Sequence, residues 1–313
     1  EQAAWNACSP YDPSRKIKRR TYVFDSTKGY PGEGPPRLKV ATFNMRGADE
    51  AKWRDIFNEA KRSRLDALLL QEHNIKSSAI AIMVSRAHRQ GFTLTVTASR
   101  SSHNRGGAAV LTRNESVTVT GVCTDHTDPL NLGRICAVNV EMAGHVTRLV
   151  SGYGPVNPSE RKGFQQSLPK FLNRSSILGG DFNWVPDPDL DQEGSDDSVE
   201  HQNSHAAAGE QSLTQKNLED SFRLVNGPRE RQYTRITNTF SRRLDRIYSP
   251  KYNSPWRWLT VQTDPLLFRR DPDSASDHLA VVAEFEVASD RTANKSERKV
   301  NPAILKHPEV RKD

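Results

Sequence analysis

Six short stretches of this sequence carry side chains that could do chemistry. They are Phe43-Asn44-Met45-Arg46-Gly47, Leu70-Gln71-Glu72-His73, Ser151-Gly152-Tyr153-Gly154-Pro155, Gly179-Gly180-Asp181-Phe182-Asn183, Ser241-Arg242-Arg243-Leu244-Asp245-Arg246 and Ser276-Asp277-His278. Together they supply hard oxygen ligands, amide donors, one tyrosine hydroxyl and, besides His73, one imidazole. Singly, each has an ordinary explanation. A Glu after an apolar strand is often just the first exposed residue. Gly-Gly-Asp is a common turn, because Gly tolerates positive φ and Asp caps the turn. Ser-Asp-His can be a cap beside a chance histidine. The combination, in this order, points to one shared site.

Such residues need rigid elements behind them, and the hydrophobic pattern supplies these. Leu38 to Phe43 reads as a strand, Lys52 to Arg64 as a helix with Trp53, Ile56, Phe57 and Ala60 on one face, and Leu65 to Leu70 as a buried strand. Short strands follow at 93–98, 108–112, 116–122, 136–141 and 147–151, then a helix at 160–172. Ser176-Ile177-Leu178 leads into a Gly179-Gly180 turn, and further strands are expected at 243–248, 256–262 and 278–287. Many short strands with interspersed helices predict two mixed sheets with outer helices. The candidate motifs then fall on loops at strand ends, where rigid strands fix side chains in place.

The flanks differ in composition. Residues 1–36 lack apolar periodicity and carry a basic run, Arg15-Lys16-Ile17-Lys18-Arg19-Arg20, before a Pro/Gly-rich hinge. They read as a tail and linker. The run fits a nuclear address or a DNA-backbone contact, and an inert solvated tail fits it equally well. Residues 187–200 hold seven acidic residues and no basic one, so 186–209 reads as a flexible, solvated insertion in a domain spanning 37–288. Residues 289–313 read as a basic linker toward a downstream domain, and the absence of an initiator Met agrees with a piece of a longer polyprotein.

The 313 residues carry a net charge of +7, which favours polyanionic partners. The apolar runs are too short to span a bilayer, so no membrane partner is expected. Cys8, Cys123 and Cys136 show no zinc or disulfide spacing and read as reduced thiols of an intracellular protein.

The order of the six motifs, from about Leu38 to Val287, resembles the endonuclease/exonuclease/phosphatase superfamily, whose members include DNase I-like enzymes, abasic-site endonucleases and the endonuclease domains of LINE-type (non-LTR) retrotransposons. The resemblance implies an α/β fold of two mixed β-sheets packed in a four-layer α/β sandwich. It also implies a Mg²⁺-dependent phosphodiesterase, with Mn²⁺ as a substitute ion. Mg²⁺ keeps several waters and needs few protein ligands. Glu72 matches the metal carboxylate, with Asn44 and Asp277 beside it. Asp181 matches the acid that positions or deprotonates the attacking water, and Asn183 the amide that orients it. His278 matches the histidine on the scissile phosphate, with Asp245 on its other ring nitrogen. Tyr153 matches a donor to a phosphate oxygen. Spacing leaves open whether Asp181 or His278 is the base.

Arg105, Ser241, Arg243 and Arg246 are further candidate phosphate or DNA contacts, as is Arg242; for any one arginine a plain surface position is an equally good account. His73 follows Glu72, and consecutive strand residues face opposite ways, so it earns no role.

Within the superfamily three stretches favour the retrotransposon branch: Ser241 to Tyr248, Asp220-Ser221-Phe222-Arg223 with Tyr233-Thr234, and the linker from Lys299 to Val310. That branch implies a nuclear DNA endonuclease, fused to a reverse transcriptase, whose nick leaves a 3′ hydroxyl as primer. The competing readings are an abasic-site repair endonuclease, a catalytically inactive nucleic-acid-binding module of the same fold, and a lipid or inositol phosphatase.

Overall fold

The first strand sets the plan of the molecule. In β1 (Arg37–Asn44) Leu38 and Val40 point into one apolar cluster while Ala41 and Phe43 point into another. A strand buried on both faces must lie between two layers. The computed structural model describes residues 36–98, 106–123, 133–194, 206–252, 254–265, 267 and 276–287. The expected N-terminal tail with its basic run, Arg105, the acidic stretch at 195–205 and the linker from 288 onward lie outside these residues.

After β1 come helix α1 (Glu50–Arg62), β2 (Ala67–Gln71), α2 (Ile80–Arg89), β3 (Phe92–Thr97) and β4 (Ala108–Arg113). Asp49 caps α1 by accepting from the backbone N–H of Lys52, and Trp53, Ile56, Phe57 and Ala60 form its buried face. The strands β5 (Thr118–Val122), β6 (Ile135–Met142) and β7 (His145–Tyr153) precede α3 (Pro158–Ser167) and β8 (Ser176–Asp181). The later elements are α4 (Pro188–Asp191), β9 (Gln192–Gly194), α5 (Ala206–Gln215), β10 (Leu218–Asp220), α6 (Ser221–Asn226), β11 (Arg235–Ile236), β12 (Phe240–Arg242), β13 (Asp245–Pro250), β14 (Trp256–Asp264) and β15 (Ala280–Val287).

Two six-stranded sheets result, ordered β14-β15-β1-β2-β4-β3 and β10-β13-β8-β7-β6-β5, with a small third sheet β11-β12-β9. The pairs β1–β2 and β7–β8 are parallel; the other pairings are antiparallel. One cluster, including Leu69, Val110, Val138, Leu149, Ile177, Ile247 and Phe285, fills the space between the large sheets. A second joins α1 and α2 to the outside of the first sheet, and a third joins α3 and α5 to the outside of the other. The result is the four-layer α/β sandwich that the sequence predicts.

Two expectations are corrected. Gly179 and Gly180 are not a turn but part of β8. A Cβ at Gly180 would lie 1.9 Å from the Gly152 carbonyl oxygen, and one at Gly179 would lie 2.7 Å from Leu69 of the other sheet. The glycines therefore permit close approach of strands and sheets. The acidic stretch is also not all solvated loop: α4 and β9 occupy 188–194, and Asp191 is completely buried.

Candidate active site

The two parallel pairs decide where the site lies. Their carboxyl ends deliver Asn44 at the end of β1, Glu72 just after β2, Tyr153 at the end of β7 and Asp181 at the end of β8. Asp245, which opens the antiparallel β13, is paired directly with Asp181, and His278 stands just before β15, the neighbour of β1. Side chains from both sheets thus meet at one end of the sandwich.

Two hydrogen-bonded groups meet there, Glu72–Asn44–Asp181–Asn183 and His278–Asp245. The Asn44 side-chain amide donates to Glu72 Oε1 at 2.9 Å and to Asp181 Oδ2 at 2.8 Å, so one amide ties the sheets together. Asp181 Oδ1 accepts from the backbone N–H of Asn183 at 3.0 Å, and the Asn183 amide donates to the Gly154 carbonyl at 2.9 Å. His278 Nδ1 lies 2.7 Å from Asp245 Oδ2. That bond leaves Nε2 directed at Asp181 Oδ2, 3.9 Å away, and Asp277 Oδ1, 4.0 Å away. The Tyr153 hydroxyl faces the Glu72 and Asp181 carboxylates.

The electrostatics follow from burial. Burial would lower the His278 pKa, but Asp245 and then Asp181 outweigh it and raise it to about 9. His278 is therefore an imidazolium at neutral pH. Burial pushes the Asp181 carboxyl up, against the pull of His278, which suits it to accept a proton. Tyr153 is also pushed up, first by burial and then by Glu72 and Asp181, so its hydroxyl remains a donor. Burial pushes Asp277 up as well, yet His278, Arg235 and Arg46 together hold it below the usual carboxylate range.

Four non-glycine residues around the cleft have left-handed backbone: Arg46 (φ 49°), Glu72 (φ 51°), Asn74 (φ 52°) and Asn183 (φ 54°). This conformation costs about 1–2 kcal/mol per residue and persists only where neighbours enforce it. The neighbours here are backbone bonds between loops, from Gly47 N–H to the Glu72 carbonyl at 2.7 Å and from Asn74 N–H to the Gly106 carbonyl at 3.0 Å.

Glu72 and Asp277 offer carboxylate oxygens, the chemistry a hard divalent cation takes, whereas Asn44 turns its N–H groups to Glu72 and Asp181 and its Oδ1 accepts from the Arg46 N–H. The ligand atoms of Asp181, Asp245 and His278 lie closer together, within 4.8 Å of one another. His278 Nδ1 and Asp245 Oδ2 already bond each other at 2.7 Å, and Asp181 accepts from Asn44 and Asn183, while the buried Asp245 Oδ1 has no hydrogen-bond partner. Both donor sets suit a divalent cation.

The remaining candidates separate. Arg243, expected on a phosphate, is buried and bonds Asp191 through Nε at 2.6 Å and Asp220 through Nη1 at 2.5 Å. Arg246, also expected on a phosphate, is buried over the Phe182, Trp184 and Tyr248 rings and donates to the Trp184 carbonyl. Both are structural, because each needs internal partners to leave water. Arg242 is likewise buried, over the Phe240 ring. Ser241 sits half-buried on β12, paired with Ile236 and Glu193. His73 is buried beneath the cleft, accepts from the Ile75 N–H at 3.0 Å, and has its pKa lowered by burial to about 4.

The sequence reading gave no site role to three residues, although Thr234 stood in a stretch quoted for the retrotransposon branch. Thr234 is buried; its hydroxyl accepts from the N–H groups of Leu244 and Asp245, and its carbonyl accepts from Leu279 N–H. It thereby clamps the two segments that carry Asp245 and His278. Arg46 and Arg235 both reach Asp277. Arg46 lay inside a quoted motif and could have been noticed, whereas nothing in the sequence brings 235 beside 277.

The sequence of residues 41–278 matches the Endonuclease/Exonuclease/phosphatase family. A search of curated proteins found no match. Among solved structures, an AP endonuclease from Archaeoglobus fulgidus superposes with a TM-score of 0.59 at 20% identity, covering 79% of this chain and 98% of its own. The 3′-5′ exonuclease NExo from Neisseria meningitidis gives 0.60 at 21%, covering 80% and 100%. The endonuclease domain of TRAS1, a telomere-specific non-LTR retrotransposon, gives 0.54 at 14%, covering 80% and 99%. Identities this low speak for the fold alone. The match over 41–278, with the site's residues delivered by the ends of the paired sheets, makes this chain a member of the Endonuclease/Exonuclease/phosphatase family.

Proposed function

We propose that this chain is a Mg²⁺-dependent phosphodiesterase that nicks DNA. The observation that carries this reading is the hydrogen-bonded run from Glu72 through Asn44 to Asp181, with the His278–Asp245 pair 3.9 Å from Asp181. A pure binding module needs neither the buried imidazolium nor the proton-accepting acid.

In this mechanism Asp181, fixed by Asn44 and Asn183, takes the proton of a water that attacks phosphorus in line. The new P–O bond forms as the P–O3′ bond breaks, leaving a 5′ phosphate and a 3′ oxygen that is protonated to a hydroxyl. His278 stays charged and faces the non-bridging oxygens through Nε2, while Asp245 holds the ring by Nδ1. Tyr153 donates a hydrogen bond nearby. Glu72, with Asn44 and Asp277 as its neighbours, would hold the Mg²⁺, and Mn²⁺ would serve the same donors. The bound ion supplies charge neutralisation at phosphorus and the leaving oxygen.

The finer reading is a retrotransposon endonuclease, nuclear and joined to a reverse transcriptase, whose nick provides the primer. It is supported by the Ser241–Tyr248 and Asp220–Arg223 stretches. Arg243 of the first is in fact bonded to Asp220 of the second, so the two stretches form one structural unit.

The test is nicking of supercoiled plasmid by the full chain with Mg²⁺, with EDTA, and with Asp181→Ala and His278→Ala. Nicking should require Mg²⁺ and fall at least about a hundredfold in each variant. Undiminished nicking in both variants would refute the site. Strong preference for a duplex with one abasic site over intact duplex would replace the retrotransposon reading with a repair one.

A further inference from the structure

Asp277 is gripped from two sides. Arg235 Nε donates to its Oδ2 at 2.9 Å, and Arg46 Nη1 lies 3.4 Å from its Oδ1. The His278 ring is a third cation on the same carboxylate, 4.0 Å from Oδ1. Three cations around one small anion is the arrangement a phosphate group would meet.

The two arginines are well placed to change partners. The Arg46 side chain is 63% exposed, and its left-handed backbone, next to Gly47, fixes where it leaves the chain. Arg235 is 32% exposed and lies over the Phe240 ring at 5.6 Å, which preorients its guanidinium. An ion pair this exposed holds weakly, so exchange for a phosphate is easy. Both arginines meet at Asp277, on the Nε2 side of His278.

We infer that Arg46 and Arg235 form a two-armed grip for a backbone phosphate of the nucleic acid, stored on Asp277 in the free protein and handed to the substrate on binding. The inference rests on the phosphodiesterase reading above, and it carries a consequence of its own. Asp277 competes with the substrate for both guanidinium groups, so its negative charge weakens DNA binding until the phosphate displaces it, and only then is its carboxylate released to serve the cation.

The test uses the full chain in EDTA, so that binding is read without cleavage, with a fluorescent duplex of arbitrary sequence and a salt titration. Arg46→Gln and Arg235→Gln should each weaken binding about tenfold. Each should also lower the slope of log affinity against log salt by about one. Arg46→Lys and Arg235→Lys keep the charge and should keep the slope. Asp277→Asn should bind DNA more tightly than wild type, although it nicks more slowly with Mg²⁺. The inference fails if the two glutamine variants bind with wild-type affinity and slope, or if Asp277→Asn binds no more tightly. Those results, alongside wild-type nicking, would leave the phosphodiesterase reading intact. A wild-type chain that neither nicks nor binds DNA would overturn both. A glutamine variant with unchanged slope but slower nicking would show that its arginine only positions Asp277, which also overturns the grip.

Discussion

His278 and His73 are both buried, yet they titrate in opposite directions. His278 has three carboxylates, Asp245, Asp181 and Asp277, to offset its burial, whereas His73 has only backbone partners. The His278 pair stabilises the fold fully below the unfolded-state value near 6.5, and that contribution is lost as pH rises through about 9. Nicking should therefore fall above about pH 9. In Asp245→Asn the alkaline limb should move to lower pH and the plateau drop at least about a hundredfold, read from a pH–rate profile. His73 acts on the acid side. It remains neutral when folded, so stability falls as pH drops from 6.5 toward about 4. The full loss is about 3 kcal/mol. Urea unfolding at neutral and acid pH should show His73→Gln losing less over that interval. Sequence could name both histidines, but not their charge states, which depend on carboxylates placed by distant strands.

At the scale of elements, ion pairs tie together the segments that flank the small β11-β12-β9 sheet. Asp191 at the end of α4 bonds Arg243 and Arg223, while Asp220 bonds Arg243 from the other side. Removing Asp191 would leave a buried guanidinium short of a partner. Asp191→Ala should cost about 3 kcal/mol in urea unfolding, against a few tenths for a solvated loop acid. Here the sequence misled for a physical reason. Seven acids spread over residues 187–200 look solvated because charge runs usually are, and only Arg223 and Arg243, far later in the chain, make Asp191 internal. Strands were legible where apolar residues ran together, as at Leu68-Leu69-Leu70. The pieces without an apolar signature, such as α4, β11 and β12, were not. The α2 helix also went unread, since only Met83 and Ala87 of its residues are buried.

For the whole molecule, the two ends of the domain are stitched together. The first strand pairs with the last, Arg37 opposite Glu286 and Thr42 opposite Val281, and β15 lies between β1 and β14. A fragment of residues 36–287 should unfold cooperatively, near the midpoint of the full chain. One ending at residue 265 should not, because β1 would lose a partner over its whole length and the inter-sheet cluster would lose Phe285, Val281 and Ala283. Circular dichroism melts of the two fragments decide this. The site was more legible than the small sheet because its residues sit at the ends of the most apolar strands, and those strands are the part of the fold that sequence describes best.

The left-handed residues at Arg46, Glu72, Asn74 and Asn183 bear on how such a protein can be altered. Glycine relieves the strain at such positions, and a library selected for heat resistance alone would reach for it there. At three of the four it would remove a carboxylate, an amide or a guanidinium from the cleft; at Asn74 it would remove the side chain that accepts from Gly106 N–H. Selection for hardiness and selection for cleavage would then pull these codons apart, and a robust variant recovered blind would tend to be a silent one.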